Sequence, residues 1–215
     1  MSGFSGVVLN SNDLYKSIKY TEYLEEKAIE YKFTILKSHF INKFSNDKIF
    51  EEDSEIIICL DGVILNFKDL RCKYTGNSSF HTIKRMYKKN SINFIKELRG
   101  NFSGVIYDKI DDEIYIFTNH VGPKPIYYFY DSKCQLIVFS SQVKDVIKDM
   151  KRLGYNVQLS EISSYFILTY GYMLDDFTLV NNVRRIKPGS YLKFKLGKLT
   201  QETYFSIDNE NYICD

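Results

Sequence analysis

The side chains with the most obvious chemical potential in this 215-residue sequence are three histidines, four cysteines and one Asp-Gly pair. His39, His81 and His120 can each exchange a proton near neutral pH. None has a carboxylate and a nucleophile at local spacing, so each is expected to be a surface or loop residue. Cys59, Cys72, Cys134 and Cys214 are widely separated, with no CxxC pair and no nearby histidine set, a pattern that argues against zinc. Cys59 lies within an apolar run and is expected to be a core residue. The glycines nowhere form the GxxxxGK[ST] loop that cradles phosphate. No metal or cofactor is therefore expected. Asp61-Gly62 closes the run Glu55-Ile56-Ile57-Ile58-Cys59-Leu60, a pair that favours a sharp turn or unusual dihedral angles.

The chain that must position these residues has an ordinary globular composition, 44% hydrophobic and 26% charged. It is long enough to bury a core without disulfides or metals. Its 29 basic and 27 acidic residues are mixed along the chain, giving a net charge of +2 and no basic stripe, so nucleic acid is not an expected partner. There is no signal-peptide pattern at the start and no apolar run of 18 residues. The expectation is a cytoplasmic protein with reduced thiols and no membrane association.

Strands are expected at Phe4–Leu9, Phe33–Leu36, Glu55–Leu60, Phe102–Tyr107, Glu113–Phe117, Ile126–Tyr130 and Leu136–Phe139. A hairpin around Tyr191–Leu196 and Leu199–Phe205, turned at Gly197-Lys198, closes the chain. Apolar spacing of three and four predicts helices over about 13–30, from Phe80 to Leu98, at Val143–Met150 and at Ile162–Leu168. Residues 42–53 read as a polar connection. Turns at Asp111-Asp112 and Asp131-Ser132 make hairpins the natural links, so the strands should be largely antiparallel. That order argues against a doubly wound nucleotide fold, and no linker divides the chain.

Five stretches stand in a distinctive order: Met1-Ser2-Gly3-Phe4-Ser5-Gly6; Leu60-Asp61-Gly62-Val63-Ile64-Leu65-Asn66-Phe67-Lys68-Asp69-Leu70-Arg71; Leu98-Arg99-Gly100-Asn101-Phe102-Ser103-Gly104-Val105-Ile106-Tyr107-Asp108; Asn119-His120-Val121-Gly122-Pro123-Lys124-Pro125-Ile126-Tyr127-Tyr128 followed by Phe139-Ser140-Ser141; and Val183-Arg184-Arg185-Ile186-Lys187-Pro188-Gly189-Ser190 with Tyr204-Phe205. Together they resemble the N-terminal glutamine-hydrolysing domain of asparagine synthetases, a class II glutamine amidotransferase domain of the N-terminal-nucleophile hydrolase type. The resemblance covers nearly the whole chain. It implies one α+β domain over residues 1–215, a four-layer αββα sandwich of two mainly antiparallel sheets, with no synthetase domain within it.

The same resemblance assigns chemistry to particular positions. The family nucleophile is an N-terminal cysteine whose own α-amino group, of pKa about 8, takes its proton. Here that position is Ser2, and while Met1 is retained the amine is tied up in a peptide bond. Three readings of Ser2 stay open: non-catalytic, an engineered replacement of a cysteine, or a true serine nucleophile. The family's oxyanion hole uses an asparagine amide and a glycine N–H, at positions held here by Asp61 and Gly62. A carboxylate has no N–H to donate and carries the wrong charge for that task. The family Asp that receives the substrate ammonium falls at Ser79 or Phe80, and the Arg-Gly-Pro-Asp segment that holds the substrate carboxylate has no counterpart. Lys124-Pro125-Ile126-Tyr127-Tyr128 reads as structural, with proline setting the start of a strand and the tyrosines packing.

The expected function is therefore a degenerate, non-hydrolysing amidotransferase-like domain with a structural or binding role, within an asparagine synthetase-like amide-forming system. Related β-lactam-forming and peptide-cyclising enzymes keep such a domain without glutaminase function. Glutamine hydrolysis supplying ammonia for asparagine synthesis is one alternative, and a free-standing regulatory or peptide-binding protein is another. The expected partner is an ATP-using synthetase-type domain or protein, with a peptide or small molecule as a further candidate ligand.

Overall fold

The computed structural model describes residues 3–9, 27–39 and 47–206. Ser2 and Cys214, and most of the helix expected over 13–30, lie outside these residues. Twelve strands and four α-helices are found within them. Strands β1 (Phe4–Val8), β2 (Lys27–Tyr31), β3 (Thr34–Ser38), β8 (Tyr127–Asp131), β9 (Leu136–Ser140) and β10 (Val183–Arg185) form one sheet in the order β10-β8-β9-β1-β3-β2. Strands β4 (Asp47–Glu52), β5 (Ile56–Ile64), β6 (Gly100–Asp108), β7 (Glu113–Thr118), β11 (Ser190–Lys195) and β12 (Lys198–Thr203) form the second, in the order β12-β11-β7-β6-β5-β4. Every strand pairing among the described residues is antiparallel.

Three buried clusters establish the layer order. Ile56, Ile58 and Leu60 of β5 pack with Phe80, Ile83 and Met86, so one face of the second sheet carries α1 (Phe67–Lys73), α2 (Ser79–Asn90) and a 3-10 helix at Ser91–Glu97. The alternate β5 residues Ile57 and Cys59 pack with Phe4, Val8 and Phe139, which places them between the two sheets. Val7, Ile35 and Val138 on the far face of the first sheet meet Val146 and Met150 of α3 (Val143–Arg152). The result is the expected αββα sandwich. It rests on the two-residue side-chain period of strands, which lets one strand feed two cores.

Three local expectations differ from the structure. The end of the expected first helix is strand β2, a hairpin partner of β3 in which Tyr31 stands opposite Thr34 and Lys32 takes a positive φ of 49°. The polar connection at 42–53 contains β4, an edge strand that pairs with β5 and buries Ile49 while its acidic end is exposed. Both are edge strands, where half the side chains meet water and the apolar signal is diluted. Asp61-Gly62 is not a turn, since β5 runs through it to Ile64 and pairs on both sides.

Candidate active site

Gly62 stands opposite Asp47 of β4 and Phe102 of β6. Its glycine identity answers to crowding, because a Cβ there would lie 2.4 Å from the carbonyl oxygen of Asn101 and 2.6 Å from Phe102 Cα. The N–H of Leu65 donates to the Arg99 carbonyl on the β6 side at 2.8 Å. Strand parity then turns the N–H of Gly62 the other way, toward β4.

Asp61 continues the series Ile57, Cys59 and therefore faces the space between the sheets, at the rim of the core. It is only 2% exposed. Its Oδ2 accepts a hydrogen bond from Lys124 Nζ at 2.5 Å, and the Lys124 side chain is one-quarter exposed. Lys48 of β4 stands opposite Asp61 in the ladder, which places it on the same face of the sheet. A buried carboxylate is costly unless a cation sits beside it, and Lys124 meets that requirement from 63 residues away. Burial, with the neighbouring Asp61 charge adding to it, pushes the Cys59 thiol well up from its usual pKa, so Cys59 is a core residue and no nucleophile.

Lys124 lies in the connection between β7 and β8, and Asn119 shapes that connection. Asn119 is 4% exposed, donates from Nδ2 to the Gly100 carbonyl at 2.7 Å and accepts from the Gly122 N–H at 2.8 Å. Its own carbonyl accepts from the Gly189 N–H at 3.0 Å. The segment read from sequence as purely structural thus delivers the cation to Asp61. Sequence order alone gave no signal for this pairing.

A second polar group gathers at the start of β1, one residue beyond Ser2. The Gly3 carbonyl accepts from the His39 N–H at 3.1 Å, and the Phe4 carbonyl accepts from the Ser141 N–H at 2.9 Å. The Phe4 N–H donates to Ser141 Oγ at 3.2 Å. His39 Nε2 lies 3.2 Å from Gln142 Nε2 and 3.9 Å from Asp145 Oδ2, and Ser140 Oγ donates to that same carboxylate oxygen at 3.1 Å. His39, without a carboxylate nearby in sequence, has one in space. His81 does behave as a surface residue, exposed and 2.8 Å from Ser78 Oγ. His120 packs edge-on to the rings of Tyr204 and Phe205, and burial lowers its pKa.

Ser79 is the first residue of α2, whose N-cap Ser78 accepts from the His81 N–H. No acidic side chain sits in that first turn. A helix N-terminus carries partial positive charge, so without a carboxylate this position does not favour an ammonium. Asp61 and Gly62 come together on one strand, whereas Ser79 opens a helix packed on the opposite face of the same sheet.

The model of the family described as "Glutamine amidotransferase domain" matches residues 30–205. The chain is 27% identical over 178 residues to a Methanocaldococcus jannaschii protein named provisionally as glutamine-hydrolysing asparagine synthetase 2, a match covering 77% of this chain and 33% of that one. It is 28% identical over 152 residues to asparagine synthetase B (glutamine-hydrolysing) of Escherichia coli, covering 64% of this chain and 27% of the relative. The chain thus spans about a third or less of the length of these curated relatives. The solved glutamine phosphoribosylpyrophosphate amidotransferase of Bacillus subtilis shares the fold with a TM-score of 0.58 at 10% identity, over 94% of this chain and 49% of that one. With its motifs, its two-sheet framework and the family match in agreement, this chain belongs to the glutamine amidotransferase domain family and is related to the asparagine synthetases.

Proposed function

We propose that this chain is the ammonia-releasing unit of an amide-forming system, hydrolysing the side-chain amide of glutamine for an ATP-using synthetase-type domain or protein. Family membership and relatives named as glutamine-hydrolysing support the reading. The observation that carries it at the site is the Asp61–Lys124 pair. Asp61 alone would oppose an oxyanion. Paired with Lys124 it is part of an electroneutral unit, and the ammonium has three donors of which Asp61 Oδ2 takes one. A cation at this rim can stabilise the negative charge that develops when a nucleophile adds to an amide carbonyl.

In this reading the Ser2 oxygen bonds to the amide carbon and its proton passes to a base. The C–N bond then breaks, the nitrogen takes up the proton and leaves as ammonia. Water cleaves the resulting ester to give glutamate and restores Ser2. Cys59, Cys72 and Cys134 are all free thiols, as a cytoplasmic setting would keep them. Among the described residues no helix is long and apolar enough to cross a membrane.

A non-hydrolysing domain that binds a peptide or small molecule is the second reading. It is favoured by the absence of an amide donor at Asp61, the orientation of the Gly62 N–H toward β4, and the lack of a carboxylate at Ser79. Glutamate release by the native protein and by a Ser2→Cys variant separates the two. Release by the native protein, abolished in Ser2→Ala, supports hydrolysis. Activity confined to the cysteine variant, or none at all, supports the second reading.

A further inference from the structure

The face of β5 that carries Asp61 continues past it. Ile64 packs in the core on the helix side of the sheet, so Val63, its neighbour in the strand, turns to the same face as Asp61. Val63 is 41% exposed, and Leu65, just beyond the strand, is 79% exposed. Val121, 71% exposed, lies in the connection that delivers Lys124. That connection is fastened to the same end of β5, because Asn119 Nδ2 donates to the carbonyl of Gly100, which stands opposite Ile64. A single exposed apolar side chain is ordinary on a protein surface. Three of them beside one buried ion pair give the approach to Asp61 and Lys124 an apolar character.

This approach treats the two charges of free glutamine differently. The α-carboxylate is attracted by the Lys124 ammonium. The α-ammonium is repelled by it, and the neighbouring carboxylate, Asp61, already accepts from Lys124 Nζ. Val63 and Leu65 have no side-chain oxygen to accept from an ammonium, and they take water away from one. Acylation of the α-nitrogen abolishes its charge, and an apolar acyl group covers side chains that otherwise face water. We propose that the substrate is a glutamine whose α-nitrogen carries an apolar acyl group, with Val63, Leu65 and Val121 setting that preference. The inference rests on the hydrolytic reading of Ser2, and the products are then ammonia and the N-acylglutamate.

The test is ammonia release from L-glutamine, N-acetyl-L-glutamine and benzyloxycarbonyl-L-glutamine by the native protein, Val63→Glu and Leu65→Ser. Removing the ammonium charge should raise kcat/KM at least about 10-fold from glutamine to its N-acetyl derivative. The aromatic acyl group should add about another 10-fold. Val63→Glu supplies a carboxylate for the ammonium and should bring glutamine level with N-acetylglutamine. Leu65→Ser should remove most of the second factor and keep the first. Because both side chains already meet water, the melting curves of the two variants should match that of the native protein. Glutamine cleaved by the native protein as efficiently as either acyl derivative overturns the proposal and leaves hydrolysis at Ser2 standing. Preferences unchanged in both variants also overturn it. Release from none of the three substrates overturns the proposal and the hydrolytic reading together.

Discussion

Replacing Lys124 by methionine removes the cation that hydrogen-bonds Asp61 Oδ2 and keeps most of the side-chain volume, with Lys48 still opposite Asp61 in the ladder. Breaking a fully buried ion pair from one side costs about 3–5 kcal/mol, because the remaining charge stays in a poor solvent. Lys124 is one-quarter exposed whereas Asp61 is almost wholly buried, so water screens part of the pair and about 2–3 kcal/mol is expected. For a chain of this length that is a fall in melting temperature of roughly 5–10 °C. The opposite change is milder. Asp61→Asn leaves an uncharged amide in the core rim, while the freed ammonium can turn to water, for a cost of about 1 kcal/mol. Adding Lys124→Met to Asp61→Asn should then cost little, so the double-mutant cycle should give a coupling of about 2 kcal/mol. Urea unfolding of the four proteins measures this directly. Additive effects, or a Lys124→Met variant within about 0.5 kcal/mol of the native protein, would refute the view that Lys124 stabilises the carboxylate at position 61.

Gly62→Ala should destabilise the fold by about 2–3 kcal/mol through the clash with the Asn101 carbonyl, measurable by the same unfolding curves. A neutral effect would show that β5 and β6 separate easily at this end. Burial lowers the pKa of His120, so as pH falls through about 6.5 the unfolded chain takes up this proton before the folded one does. Stability should therefore decline between about pH 7 and pH 5, and the decline should be smaller in His120→Gln when melting temperatures are compared across that range. Identical slopes in the two proteins would remove His120 from the acid response.

The layered fold was legible because the strong strands carry apolar residues on both faces: Ile56, Ile58 and Leu60 feed one core and Ile57 and Cys59 another. The edges were less legible. In β2 the residues Lys27, Ala28 and Glu30 are exposed, and their spacing fits a helix as well as a strand. At the candidate site the apolar strand leading to Asp61 and Gly62 was legible, and the surroundings of the two residues were not. Asp-Gly is locally a turn signal, and only the pairing of β5 with both neighbours, together with a lysine 63 residues away, makes it a buried strand residue. His39 and Asp145 are likewise brought together by the β1–β3 and β1–β9 ladders, a relation that no local spacing encodes.

Glutamine chemistry at residue 2 is the central claim, and a diazoketone analogue of glutamine tests it most directly. Incubation with the native protein, followed by intact mass and peptide mapping, should show one covalent adduct per chain, located on Ser2, suppressed by excess glutamine and absent from Ser2→Ala. A native protein that acquires no adduct at Ser2, under conditions in which its Ser2→Cys variant is fully labelled, would contradict the claim.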